Sequence, residues 1–220
     1  MTNNRPVDYS ASEYDHFSSR YLDIYDQSII GRVIEEVRQT GRPGTLLDIG
    51  AGSGQVLIKM ARLPELVRFR LIGLDFFSDM VVQAWTAVQR AGLAGRIDLI
   101  RGDVHHLPCS EGAIDLVVSR STIHHWARPA AALQEIYRIL KPKGVAIIHE
   151  VRRDPNPESL AEFNRRRKEA GLEPSRLEGK YTAAEVSDLL RQAGLAGAAT
   201  INAPQKGFGA LGFEVRLARP

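Results

Sequence analysis

The apolar positions of this chain fall into two alternating rhythms. Short, nearly unbroken apolar runs at Thr45–Ile49, Leu71–Asp75, Ile97–Asp103, Ala113–Ser119 and Val145–Glu150 read as strands buried on both faces. Between them, Gln55–Ala61, Ser78–Gln89 and Ala131–Leu140 show helical spacing. Ahead of the first strand, Ile29, Ile30, Val33, Ile34 and Val37 form one helical stripe, stopped by Gly41-Arg42-Pro43-Gly44. Strand followed by helix, repeated, predicts an α/β fold with a doubly wound, Rossmann-like sheet. After residue 150 the rhythm changes. Asp154-Pro155-Asn156-Pro157 breaks the chain, Glu158–Ala170 is a charged helix, and Thr182-Ala183-Ala184-Glu185 is a capping box opening a helix to Ala193, which Gly194 stops. Ala198–Asn202 and Phe208–Leu217 then read as two strands joined by Pro204-Gln205-Lys206-Gly207, a hairpin that gives the sheet an antiparallel edge. The expectation is a seven-stranded sheet in one domain over residues 1–220. A helical cap spans 1–40, the core 44–150, an insertion 151–181, and a C-terminal helix and hairpin 182–220.

Between the first strand and its helix stands Asp48-Ile49-Gly50-Ala51-Gly52-Ser53-Gly54. Glycines at alternate positions let the backbone turn sharply and let a ligand approach without meeting a Cβ. The following helix N-terminus points its unpaired N–H groups at the turn. A tight turn with no ligand would use the same residues. The dinucleotide fingerprint asks for Gly or Ala where this chain has Gln55, and no Gly-Lys-Ser/Thr of a phosphate loop follows. Asp75 ends the second strand about twenty residues on, where doubly wound folds place a carboxylate for two ribose hydroxyls; its other reading is a cap for the helix that follows. Phe76 could lie against a purine face.

The string Asp48-x-Gly50-x-Gly52-x-Gly54 resembles the first motif of class I S-adenosylmethionine (SAM)-dependent methyltransferases, and the Leu-Lys-Pro-x-Gly stretch ending at Gly144 resembles a later one. The resemblance covers about residues 44–150. It implies that SAM is bound, with S-adenosylhomocysteine as product. It implies a cofactor site built from Asp48, Gly50, Gly52, Gly54, Asp75, Phe76, Asp103, Val104 and Ser119, in which Asp103 meets the adenine amino group and the Val104 N–H a ring nitrogen. It also suggests a lid formed by the aromatic-rich N-terminal stretch, with Tyr14 as a substrate contact.

Methyl transfer to a hydroxyl or amine can require a base, and histidine suits neutral pH. His125 is the first candidate and His124 the second, both just past the fourth strand, although such a pair can equally fix a loop. Tyr14, His16, His149 and Glu150 are lesser candidates. His105 and His106 read as loop residues rather than ligands. Hard-ligand metal chemistry needs acids at the strand ends, and the fourth strand ends in Ser119-Arg120, so no metal is expected. Arg152, Arg153 and the run Arg165–Lys168 could attract an acidic substrate; the run could equally be a solvated helix face.

Net charge is +3, and the excess lies wholly after residue 150. That is too weak for the basic stripe of a nucleic-acid binder. One cysteine, Cys109, excludes an internal disulfide and suits a reducing, cytoplasmic compartment. There is no apolar run long enough for a membrane span and no secretory signal. The reading is a SAM-dependent methyltransferase for a small-molecule acceptor at O, N or C. The rivals are an RNA methyltransferase, a SAM-binding protein that transfers no methyl group, and an NAD-dependent oxidoreductase on a similar fold.

Overall fold

The computed structural model describes residues 23–169, 171 and 173–220. Tyr14, His16 and most of the expected cap therefore lie outside the described residues. Seven strands make a mixed sheet in the order β3-β2-β1-β4-β5-β7-β6, the α/β Rossmann-like fold that the periodicity predicts. The chain divides after Asp103 into two compact units.

In the first unit, helix α1 (Asp23–Thr40) leads to β1 (Thr45–Ile49), α2 (Gln55–Ala61), β2 (Arg70–Asp75), α3 (Ser78–Arg90) and β3 (Ile97–Arg101). The three strands are parallel, with β2 between the other two. Parallel neighbours need a crossover, and each link here contains a helix. Ile29, Val33 and Val37 bury one face of α1, as the stripe predicts. Two acids of α1 are buried as well: Glu36, and Asp26, which is fully buried and accepts a hydrogen bond from Lys59 Nζ of α2 at 2.7 Å. The third strand stops at Arg101, two residues short of the expected end. There the Gly102 N–H donates to the Asp75 carbonyl, closing the end of β2.

In the second unit, β4 (Ile114–Arg120), α4 (Pro129–Ile139), β5 (Leu140–Val151), α5 (Pro157–Glu169), α6 (Ala183–Gln192), β6 (Ala199–Asn202) and β7 (Gly212–Ala218) follow one another. β4 and β5 pair in parallel, while β7 pairs antiparallel with both β5 and β6. The expected edge hairpin is present, with a correction: Phe208–Leu211 is a turn of 3₁₀ helix, and the strand begins only at Gly212. A Cβ at Gly212 would stand 2.5 Å from the Glu150 carbonyl oxygen, so β7 can enter beside β5 only on a glycine. A second correction concerns Lys141–Gly144, which lies between the expected helix Ala131–Leu140 and the expected strand Val145–Glu150. It is an irregular lead-in to β5, where the register jumps between Ile114 and Leu116 and Lys143 takes φ +66°. Both arms of the Thr182–Glu185 capping box are made.

Candidate active site

The turn after β1 is held from β2. Gly50, Gly52 and Gly54 have φ of +73°, +54° and +79°, a left-handed region closed to most side chains. The N–H groups of Gly50 and Ala51 both donate to the Leu74 carbonyl, at 2.8 and 3.0 Å. One residue further on, the Gly52 N–H donates to Asp75 Oδ2 at 2.9 Å, and the Phe77 N–H donates to Asp75 Oδ1 at 3.0 Å. Asp75 is thus not the side-chain cap of α3, whose N-terminal flank is Phe77 with no capping hydrogen bond. It ties the glycine turn to the start of the next crossover. Burial raises its carboxyl pKa, and the N–H groups of Phe77 and Gly52 pull the other way.

The chemistry of these donors and acceptors fits the cofactor that the motif implies. A carboxylate offers about four lone-pair sites, and the Gly52 and Phe77 N–H groups take one on each oxygen. That leaves acceptor capacity for two ribose hydroxyls. Ser53, inside the turn, is 1% exposed and its Oγ has no hydrogen-bond partner among the described residues. A buried hydroxyl without a partner is costly unless something polar meets it. Phe76 holds its ring 41% exposed, edge-on to Phe77. Asp48 is buried in β1, Asp103 is half-buried just past β3, and Val104 is buried in the second unit.

The end of β4 carries the other candidates. After Arg120 the chain turns at Ser121, a non-glycine at φ +55° whose N–H donates to the His149 carbonyl. Ser119 is fully buried, its Oγ 2.5 Å from Thr122 Oγ1. A single 3₁₀ turn, Ile123–His125, then presents the two histidines, whose rings lie 3.9 Å apart. They differ sharply in surroundings. His125 is exposed. The His124 side chain is 11% exposed, with Nδ1 3.0 Å from Glu150 Oε1 and Nε2 3.1 Å from Lys180 Nζ. An ammonium can only donate, so Nε2 must accept and Nδ1 must carry the proton. Glu150, 3% exposed, also accepts the Ile123 N–H at Oε2 and the Val151 N–H at Oε1. Its carboxylate therefore has three donors, one of them His124.

The remaining candidates are committed elsewhere. Arg152 is buried and donates to both oxygens of Asp154, at 2.8 and 3.0 Å, which raises the guanidinium pKa further. Arg153 donates to Glu185 and to the Lys180 carbonyl. Arg165 and Arg166 pair with Glu162 on their own helix, the solvated-face reading of that run. Arg167 instead is buried and donates to the Glu173 carbonyl. His149 pairs with Glu214 directly across the β5–β7 ladder, and His105 accepts the Arg128 N–H. Among the described residues no group of three His, Cys, Asp or Glu side chains could hold a metal ion.

Residues 47–148 match the family model described as a methyltransferase domain. The match covers 102 of the 220 residues, so the chain carries a stretch similar to a methyltransferase domain. A putative SAM-dependent methyltransferase from Methanococcus maripaludis superposes on this chain with a TM-score of 0.71 and 26% identity, over 95% of this chain and 91% of that one. A SAM-dependent methyltransferase from Aquifex aeolicus shares the fold at a TM-score of 0.70 and 18% identity, over 96% of this chain and all of that one. In sequence, a demethylmenaquinone methyltransferase from Lactiplantibacillus plantarum is 33% identical over 51% of this chain and 47% of its own length. The chain spans less than half the length of the curated relatives it matches.

Lys180 and the central place of Glu150 were not evident from sequence. Glu150 ends a strand like any other acid, and Lys180 stands in Glu178-Gly179-Lys180-Tyr181 with no motif around it. No described helix is long and apolar enough to cross a membrane.

Proposed function

We propose that this chain moves a methyl group from SAM to a small-molecule acceptor. The observation that carries the reading is the Asp75 carboxylate. It holds the Gly52 N–H on one oxygen and the Phe77 N–H on the other, so the acid that would meet the ribose also shapes the glycine turn. When bound, SAM supplies an electrophilic methyl group on a positively charged sulfur. Asp75 accepts the ribose hydroxyls, Ser53 offers its buried hydroxyl to the polar end of the ligand, and Phe76 covers one face of the base. Asp48, Gly50, Gly54 and Asp103 are the other residues of the first unit that the resemblance names.

His124, rather than the more exposed His125, is the base in this reading. Glu150 fixes its Nδ1–H, which leaves the Nε2 lone pair to take a proton from an acceptor O–H or N–H as the new bond to carbon forms. The buried carboxylate then faces an imidazolium, the charge arrangement that favours proton transfer to that ring. A base held in this way contributes roughly 10²–10⁴-fold. Arg152 is a poor substrate group because Asp154 occupies its fork. The small-molecule class is supported by the balanced charge of residues 1–150 and by the name of the L. plantarum relative, which specifies demethylmenaquinone.

The test is incubation with methyl-labelled SAM and a panel of phenols, carboxylic acids, amines and bulk RNA. Label is expected in a small molecule, and lost in His124→Ala when the acceptor is a hydroxyl or amine. Label in RNA, or tight S-adenosylhomocysteine binding with no transfer to any extract fraction, would overturn the reading.

A further inference from the structure

We infer that Lys180 is the gate of His124: its ammonium sits on the one imidazole nitrogen able to take a proton, and it must leave before His124 can act. The acceptor half of this inference rests on the methyl-transfer reading; the gate itself does not. Three observations lead to it. First, the tautomer is forced, because Lys180 Nζ lies 3.1 Å from Nε2 and can only donate, while Nδ1 lies 3.0 Å from the buried Glu150 carboxylate. Nε2 is therefore the basic atom, and it is covered.

Second, the covering group lies far along the chain from the ring it covers, separated by 56 residues. It belongs to a stretch, 173–182, that is neither helix nor strand. That stretch is tied down by side chains: Arg167 Nε to the Glu173 carbonyl, Asn164 Oδ1 to the Ser175 N–H, and Arg153 Nη1 to the Lys180 carbonyl. One backbone bond adds to these, from the Arg153 N–H to the Tyr181 carbonyl; a segment held by so few bonds opens far more cheaply than a sheet strand. Third, the imidazole itself is anchored on the opposite side. Glu150 lies in β5, and its other partners are the backbone N–H groups of Ile123 and Val151. Opening the loop therefore uncovers Nε2 without releasing the ring.

Lys180 and Glu150 are positioning residues in this scheme. They present His124 as one tautomer, and Lys180 occupies the place that an acceptor O–H or N–H must take. When that donor replaces the ammonium, its proton passes to Nε2 while Nδ1–H stays on Glu150. The acceptor atom keeps the electron pair that becomes its bond to the methyl carbon, and the pair of the broken C–S bond stays on sulfur. An acceptor that is itself acidic, or carries an oxygen anion nearby, would pair with the displaced ammonium. The gate thus favours acidic hydroxyl acceptors.

Diethyl pyrocarbonate, which acylates unprotonated imidazole nitrogen, tests this on the full chain without any substrate. The exposed neighbour His125 serves as an internal reference. Fragment mass spectrometry is expected to show His124 modified about ten-fold or more faster in Lys180→Gln than in the wild type, the factor expected for losing a hydrogen bond from a charged donor. His125 should be unchanged, and Lys180→Arg should return His124 towards the wild-type rate. Imidazole ¹⁵N shifts should report the Nδ1–H tautomer in the wild type. Equal His124 rates in wild type and Lys180→Gln, or an Nε2–H tautomer in the wild type, would overturn the gate. S-adenosylhomocysteine titration of the same two proteins separates the readings. If the wild type fails to bind while the modification rates differ, the methyl-transfer reading falls and the gate stands.

Discussion

The glycine turn of the first unit and the histidine turn of the second are built on opposite principles. In the first, the shape is held in backbone. Glycine conformations and N–H groups do the shaping, and one side chain, Asp75, gathers them. In the second, the arrangement is held by side chains brought from distant places: His124, Glu150 from a strand 26 residues on, and Lys180 from a loop 56 residues on. A backbone site must be written as a local spacing of residue types, because only glycine takes those angles cheaply. A side-chain relay leaves no such spacing, since any strand can carry a Glu and any loop a Lys.

That contrast can be broken by substitution, and the largest effect belongs to the relay. Glu150→Ala would strip the acceptor from the Ile123 and Val151 N–H groups and from His124 Nδ1. Each buried donor left unmet costs about 1–3 kcal/mol. Urea unfolding is expected to show a loss of roughly 3 kcal/mol or more, with Glu150→Gln recovering part of it. A loss under about 1 kcal/mol would mean that water replaces the carboxylate and that the relay is not a buried network. A smaller effect is expected at the capping box. Thr182→Ala removes the acceptor of the Glu185 N–H and should cost about 1 kcal/mol. Because Thr182 follows the Lys180 loop directly, the same variant should also speed modification of His124; unchanged modification would uncouple the loop from the helix that ends it.

The sequence made the strands and crossover helices legible because buried parallel strands need unbroken apolar runs and their helices need a stripe. It failed where backbone geometry departs from the regular elements. Lys141–Gly144 looked like a stop because it holds Pro142 and Gly144, yet pairing of β4 with β5 draws it into the sheet with a register jump. Phe208–Leu211 carries strand-like residues but coils so that Gly212 can pass the Glu150 carbonyl. At the candidate site, the sharp glycine turn and the acid at the end of the next strand were readable from spacing. The choice between His124 and His125 was not, because neighbouring residues on a short turn face different surroundings and only the fold shows which one meets Glu150. Arg152 looked available because its partner, Asp154, is two residues away and acid–base neighbours in sequence need not pair.

The most direct test is calorimetric titration with S-adenosylhomocysteine, alongside NADH, across the acidic range. Burial raises the Asp75 pKa, so this carboxyl is charged, and able to accept two hydroxyls, only above its raised value. Affinity is expected to fall as pH drops through that value, which lies above that of an ordinary aspartate. Folding stability should respond to this one group in the opposite sense. An acid whose folded pKa is raised destabilises the folded state when ionised, so its contribution improves as pH falls from the folded pKa towards the unfolded one. S-adenosylhomocysteine is expected to bind at neutral pH, NADH is not, and Asp75→Ala is expected to lose binding. NADH binding, or S-adenosylhomocysteine affinity that is unchanged in a folded Asp75→Ala protein, would contradict that expectation.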